Sequence, residues 1–568
     1  MHCLGGLASM AIRFVPLPPY RCAVDWGSGR HQMTTFVLRG AYAVATLCLS
    51  SHLALAQSQL QLQPQDPGIR GGVLNTAGML QYRGIPIPPP PVISPHPTTG
   101  ATITTNELAS FKEGILRAGQ LEATCNECAM ITEGTPVTNR GELDPTFPQF
   151  TTNSNGLGAR HNADQCFGCH AQPTLGGSGG FLVPNPAPQG TFTPLQPENP
   201  MFRLFPFRFG KRNVVPSFQL QFGPIREVRF VYQVDAQGNF IRDKDSYLIP
   251  DGGVKQLWVA KGFNNDPTIS RCSLNQPDFE KQVAQRNVAF RIPLQMTGLG
   301  LIESIQDREI LARFNATANQ RRALGIGGRP NRSGNNGTIT RFGWKAQNMS
   351  ITMFAGEAYS VEMGISNELF PIATEEDPDC QGAKAEPNDV TRMEENDREN
   401  QAFKNPVHIL ADWMQFQLLM RFTDGPKPAP QSATAQRGEA VFSSIGCALC
   451  HTPQMQTAPI MNSAVLQNRP VRMFSDLMLH RMGPGLADGI SQGQAGPDEF
   501  RTTPLWGVGQ RMFFLHDGRA SDLMQAILAH ASNAGGGYPA SEANGVIGNF
   551  NALPASDKQA ILDFLRSL

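Results

Sequence analysis

Apolar residues fall at helical spacing from Asn106 onward, at Leu108, Phe111, Ile115 and Leu116, which predicts a helix where the folded part of the chain begins. A second helix is expected over residues 433–442, running directly into Cys447. A third closes the chain, with Ile561, Leu562, Phe564, Leu565 and Leu568 on one face and a capping box at Ser556 and Gln559. Residues 225–234, rich in β-branched and aromatic positions, predict a β-hairpin with the 235–239 turn and residues 240–242. Residues 57–104 are polar and then Pro-rich, an extended lead expected to lie along the surface. Residues 424–430, with Pro426, Pro428 and Pro430, read as a linker.

Composition narrows the class of protein. Lys+Arg and Asp+Glu are both 47 in 568 residues, so no bulk charge draws the chain to nucleic acid or to an anionic membrane. With 40% hydrophobic and 17% charged residues it has the material for large cores, while 56 Gly and 45 Pro point to long loops and short helices. The apolar run 36–56 ends in Ala54, Leu55 and Ala56, follows Arg39 and reads as a signal peptide spanning 33–56. Residues 1–32 then read as a gene-model extension ahead of a start at Met33. That run carries His52, Ser50 and Ser51, and no other segment is apolar for about 18 residues, so the mature chain is expected to be exported without a membrane span.

The cysteines carry the chemistry. Cys166-Phe-Gly-Cys169-His170 and Cys447-Ala-Leu-Cys450-His451 are two copies of C-x-x-C-H, in which two thiols attach a c-type haem and the adjacent imidazole reaches its iron. Cys125, Cys128, Cys272 and Cys380 remain in an oxidising space. They are expected to form two disulfides, with three connectivities open. Cys125-Asn-Glu-Cys128 is followed by Ala129, so it lacks an iron ligand; a redox-active pair is the other reading. A helix at each end of residues 431–568 is the minimal cytochrome c frame. Phe290-Arg-Ile-Pro-Leu294 with Gly298 and Gly300 is echoed by Phe500-Arg-Thr-Thr-Pro-Leu505 with Gly507 and Gly509. The fold class expected is therefore mainly α, with two tandem cytochrome c-like domains over 105–425 and 431–568.

Residues 156–166, Arg341-Phe-Gly-Trp-Lys-Ala346, Phe474-Ser-Asp-Leu-Met-Leu-His480, 500–505 and Leu515-His-Asp-Gly-Arg519 resemble the di-haem oxidoreductases related to bacterial di-haem cytochrome c peroxidases and MauG, in particular the subgroup labelled thiol oxidoreductase. The resemblance spans roughly residues 105–568. It implies one electron-storing haem with two protein ligands and one haem with an openable face where peroxide reacts. It makes His451 and His530 the ligands of the C-terminal haem, with Met482 as the competing second ligand, and His170 the proximal ligand of the N-terminal haem. Trp344 matches the bridging tryptophan, and Glu362, in Glu362-Met-Gly364, matches the distal carboxylate. The family's distal glutamine finds Met353 or Phe354 near its place. His480 and His516 are expected beside a haem or its propionates, Arg501 and Arg519 as propionate partners, and His161 as a packing residue at the haem edge. Calcium between the domains is implied without assignable ligands. The function expected is a periplasmic peroxidase-like oxidoreductase acting on peroxide or another small oxidant with a small redox protein as electron partner. The alternative is a non-catalytic electron carrier or redox sensor.

Overall fold

The computed structural model describes residues 64–68, 80–82, 85–87, 90–119, 121–123, 153–155, 157–179, 181–184, 195–198, 213–259, 271–372, 378–380, 412–429 and 431–568. Residues 1–32 and 33–56, read above as an upstream extension and a signal peptide, and Cys125 and Cys128 lie outside them. All described residues belong to the unit Pro64–Leu568. The helices that position the sites are α1 (Thr105–Gly119), α2 (Leu299–Glu303), α3 (Ile351–Glu362), α4 (Asp412–Phe422), α5 (Ala433–Ser444), α6 (Leu523–Leu528) and α7 (Ala555–Ser567). The strands used below are β1 (Glu227–Phe230), β2 (Val254–Lys255), β3 (Val288–Arg291), β4 (Leu479–Arg481) and β5 (Glu499–Arg501).

Two antiparallel helix pairings repeat along the chain. In the first, α1 packs on α4; in the second, α5 packs on α7. Each pairing needs a glycine where the backbones meet. A Cβ on Gly114 of α1 would lie 2.5 Å from the Leu419 amide nitrogen, and one on Gly438 of α5 would lie 1.9 Å from the Ala560 carbonyl oxygen. The sequence echo has the same meaning. Gly298 and Gly507 both take positive φ, 75° and 73°. Two residues later, Gly300 abuts the Arg421 carbonyl at the end of α4, and Gly509 abuts the Arg566 carbonyl at the end of α7. The side chains around α7 form one core in which Phe442 meets Phe564 at 5.4 Å and Phe474 meets Phe564 at 5.5 Å between ring centroids. Burying each such ring contributes roughly 1.5–3 kcal/mol. Gly438→Val should therefore lower stability by about 3 kcal/mol or more, because a carbonyl cannot rotate out of the way; calorimetric unfolding of the full chain measures it.

Three sequence expectations are corrected. The described chain is mixed α and β rather than mainly α: short helices alternate with small antiparallel ribbons and a three-stranded sheet of order β3-β1-β2. In that sheet β1 pairs with β3, Val228 opposite Phe290, so the expected hairpin is reduced to the Val234–Phe240 bridge across the 235–239 turn. The reason is long-range: Val228 and Phe230 are buried against Phe279 and Trp258, a core a local hairpin cannot supply. The Ser556 capping box does not form. Helix α7 starts two residues earlier, with Pro554 at the N-cap, and Gln559 instead donates to Gln65 O and Asp563 Oδ1, both at 2.9 Å.

Of the lead, the described stretches 64–68 and 90–104 contact the rest of the fold. Asp66 holds Arg566 through two 2.6 Å contacts and accepts from the Leu523 amide at 2.8 Å, so it ties α7 to the first turn of α6. Ile93 and His96 are buried, and His96 Nε2 sits 3.2 Å from Asn468 O. Cys272 and Cys380 form a disulfide across 108 residues. Replacing both by serine should cost about 2–5 kcal/mol through the loop entropy returned to the unfolded chain, measured as a drop in denaturant midpoint.

Candidate cofactor sites

The second C-x-x-C-H motif is delivered by α5. Gly446, with φ 106°, turns the chain into the Cys447–Leu449 3-10 turn, where the Cys450 and His451 amides both donate to Cys447 O. This puts both sulfurs and the imidazole on one wall of an apolar cavity of about 230 Å³. His530, just beyond α6, stands on the opposite wall, its ring centroid 6.4 Å from that of His451. His451 Nδ1 donates to Phe474 O at 3.2 Å and His530 Nδ1 to Ala526 O at 2.8 Å, which leaves each Nε2 as the free acceptor. Burial pushes His451 down to about 4, with His530 adding to the shift, and burial also lowers His530. Both rings are thus neutral, the form that binds a metal. An imidazole nitrogen lies about 1.2 Å from its ring centre and metal–imidazole bonds run about 2.0–2.1 Å, so one ion held by both rings needs centroids roughly 6.4–6.6 Å apart. The residues present fit such an ion.

The other residues expected here divide clearly. Met482 lines the same cavity but packs against Ile292, Trp344 and Phe500. His480 has both nitrogens engaged, Nε2 with Asp476 and Nδ1 with Glu542, each at 2.9 Å, so it has no lone pair for a metal. Its burial opposes charge, yet Asp476, bonded to it, holds its pKa well above the ordinary value. Ligand atoms of Cys450, Asp476 and His480 lie within 4.8 Å of one another, but the attachment that the C-x-x-C-H motif implies would make Cys450 a thioether and remove the anionic donor a small metal site needs. His516 stacks on Phe500 at 4.3 Å and turns its edge to Trp344 at 6.4 Å. Burial pushes it down to about 4.

Arg501 is buried in the cavity wall, where its Nε donates to Gly343 O at 2.9 Å. Arg519 lies outside the cavity, paired with Asp517 at 2.6 Å on the surface, so its expected role is not met. A second buried arginine takes that place: Arg511 lines the cavity and donates to Ser178 Oγ at 3.1 Å. Burial alone brings both guanidiniums down to about 10. Buried cations without a carboxylate ask for anionic ligands, and the two propionates of a haem would supply them. Sequence reading missed Arg511 because nothing adjacent to it marks it as buried.

The first C-x-x-C-H motif forms the same kind of turn, with the Cys169 and His170 amides donating to Cys166 O. His170 Nδ1 donates to Gly177 O at 3.0 Å, and burial lowers the ring's pKa. It lines a cavity of about 160 Å³ in which, among the described residues, no second histidine stands. The facing wall is α3, and Glu362, its last residue, is half-buried there and accepts from Asn162 Nδ2 at 2.8 Å. Burial first, and Glu227 beside it second, push Glu362 up to about 8. Glu227 and Arg229 of β1 pair at 2.5 Å, and burial raises the nearby Glu357, which accepts from Asn348. These three were not read from the sequence, since a strand and a helix 120 or more residues apart bring them together. Phe354 lines this cavity and Met353 does not, whereas Gln347 does, with a buried Oε1. The thioethers of Met296, Met363 and Met420 stand in the wall as well.

Trp344 lines both cavities, held by a 3.0 Å hydrogen bond from Nε1 to Ile292 O. His161 is buried away from both, paired with Trp258 across a two-residue ribbon, with Nδ1 3.0 Å from Gly158 O.

Two C-x-x-C-H motifs, each opening on its own cavity, with one tryptophan in the wall of both, mark a chain with room for two redox centres. The family described as "Di-haem oxidoreductase, putative peroxidase" matches residues 238–568, and the chain belongs to it. That stretch contains Trp344, Glu362, His451 and His530 and begins after His170. Among solved structures the chain is similar to a MauG-like protein associated with microbial copper homeostasis, at 17% identity over 29% of this chain and 55% of that one, TM-score 0.21. It is also similar to the hydrazine synthase of Kuenenia stuttgartiensis pressurised with xenon, at 17% identity over 29% and 56%, TM-score 0.19. The chain thus spans about half the length of each. No match was found among curated proteins.

Proposed function

We propose that the chain is an exported, periplasmic di-haem c-type oxidoreductase of the peroxidase kind, with two tandem cytochrome c-like units. The centre on His170 reacts with peroxide, and the centre on His451 and His530 exchanges electrons with a small redox protein. The observation that carries this is the unequal furnishing of the cavities: opposed neutral imidazoles in one, a single imidazole faced by a half-buried carboxyl in the other. No helix among the described residues is long and apolar enough to cross a membrane, which is compatible with export.

When bound, haem supplies an iron able to cycle between oxidation states and cleave an O–O bond. The chain does the rest. Cys166, Cys169, Cys447 and Cys450 fix the two groups covalently, and Arg501 and Arg511 offset propionate charge. Glu362 takes the proton from one peroxide oxygen and returns it to the leaving oxygen. Hydrogen peroxide becomes two waters by taking up two electrons and two protons, and the electrons come from the redox partner through Trp344. The apolar walls exclude bulk water, which strengthens the field of Glu362 on the bound oxidant.

Titrating the full di-haem protein with hydrogen peroxide under optical and EPR observation tests the reading. One high-spin and one low-spin centre, with peroxide consumed at the first, are expected. The three methionines around the His170 cavity favour a second reading, a non-catalytic electron carrier or redox sensor, because any one of them as a sixth ligand closes that face. Two low-spin centres inert to peroxide would establish it instead.

A further inference from the structure

A buried polar cluster separates the two cavities. Lys345 follows Trp344 and is fully buried. Its Nζ donates to Gly496 O at 2.9 Å and Glu499 O at 3.0 Å, lies 3.4 Å from Pro497 O, and contacts Asp488 Oδ1 at 3.1 Å. The other Asp488 oxygen accepts from Arg291 Nη2 at 2.7 Å. Arg291 lines the His170 cavity. On the other side, the ammonium sits 4.1 Å above the Phe500 ring, which lines the His451 cavity. Asp498, also buried, has an Oδ2 without a hydrogen-bond partner and acts on the Lys345 charge.

Three backbone carbonyls and a carboxylate, with a second carboxylate nearby, make a donor set of oxygens alone, the kind that holds a hard cation such as calcium. Here the centre of that set is filled. An ammonium is a compact point charge with three donors, and it meets these acceptors at hydrogen-bond distance. The calcium implied between the domains therefore does not fit at this place, because Lys345 Nζ already stands where the ion would be. We infer that Lys345 is a resident cation of the wall between the two cavities, replacing a metal ion there and holding the 488–499 loop and Trp344 in place. This assignment stands on the cage alone and is independent of the peroxidase reading.

The test uses the full-length di-haem protein, with calcium chloride, magnesium chloride and EGTA as probes. Wild type should contain no stoichiometric calcium, and EGTA should leave its Tm and both haem midpoint potentials unmoved. Lys345→Met empties the cage; its Tm should fall in EGTA and recover with calcium but much less with magnesium, while both midpoint potentials shift downward for want of the positive charge. Lys345→Arg, which keeps the charge but not the shape, should recover less with calcium than Lys345→Met. A stoichiometric calcium in wild type whose removal lowers Tm overturns the inference, as does a Lys345→Met protein whose stability is indifferent to calcium. Should that variant not accumulate, metal content and EGTA response of wild type decide alone. A wild-type protein that does not turn over peroxide, with the calcium responses as expected, would count against the proposed function and leave this inference standing.

Discussion

Glu362→Gln should lower peroxide turnover by about 10²–10⁴-fold, the range a positioned general acid–base group supplies. The substitution keeps the size of the side chain and an acceptor for Asn162 Nδ2, which donates to Glu362 at 2.8 Å, while removing the proton-transfer function. Its pH profile separates the chemistry from a packing effect. With its pKa pushed up to about 8 by burial and Glu227, the carboxyl must lose its proton to act as base, so kcat/KM for peroxide should rise with pH and level off above about 8. The Gln variant should lose that limb. Stability moves the other way. The folded state keeps a proton that the unfolded chain releases near the ordinary carboxylate value, so this group's contribution to stability falls as pH rises from there to about 8. Turnover in Glu362→Gln within tenfold of wild type would remove the residue from the mechanism.

The second large effect is expected at His530. His530→Ala should abolish the whole low-spin signal of the C-terminal centre and raise its midpoint potential, since a neutral imidazole opposite His451 favours ferric iron over the aquo or vacant alternative. Met482→Leu should leave that signal intact, because Met482 packs into the Ile292, Trp344 and Phe500 cluster. EPR and redox titration of the two variants side by side decide between them. A low-spin centre that survives His530→Ala and vanishes in Met482→Leu would assign the ligand to methionine.

Much of the site was legible because its parts are local or periodic. A C-x-x-C-H pentad is contained within five residues, so both attachment turns could be read directly. His530, Trp344 and Glu362 came only through the family resemblance; in the structure His530 faces His451, and Trp344 and Glu362 line the His170 cavity. The last helix followed from its apolar period and the 433–442 helix from its place ahead of Cys447, and the Gly298 and Gly507 echo marked a true repeat of close backbone approaches. What stayed hidden is long-range. Glu227 and Arg229 reach Glu362 only because β1 pairs with β3 instead of folding back on its own turn. Arg511 and Lys345 look like ordinary surface cations in sequence, and burial alone distinguishes them. Of the three connectivities, the Cys272–Cys380 pair could not be chosen from spacing, and Ser556 lost its capping role because Pro554 already caps the helix two residues ahead.

The clasp made by Asp66 links the front of the chain to its last helix and to the helix that presents His530. The C-terminal centre is therefore latched by a residue more than 450 positions upstream. Trimming the chain past Asp66, or fusing a bulky domain just behind it, is an alteration at the periphery whose mark should be read in the colour of the distant iron.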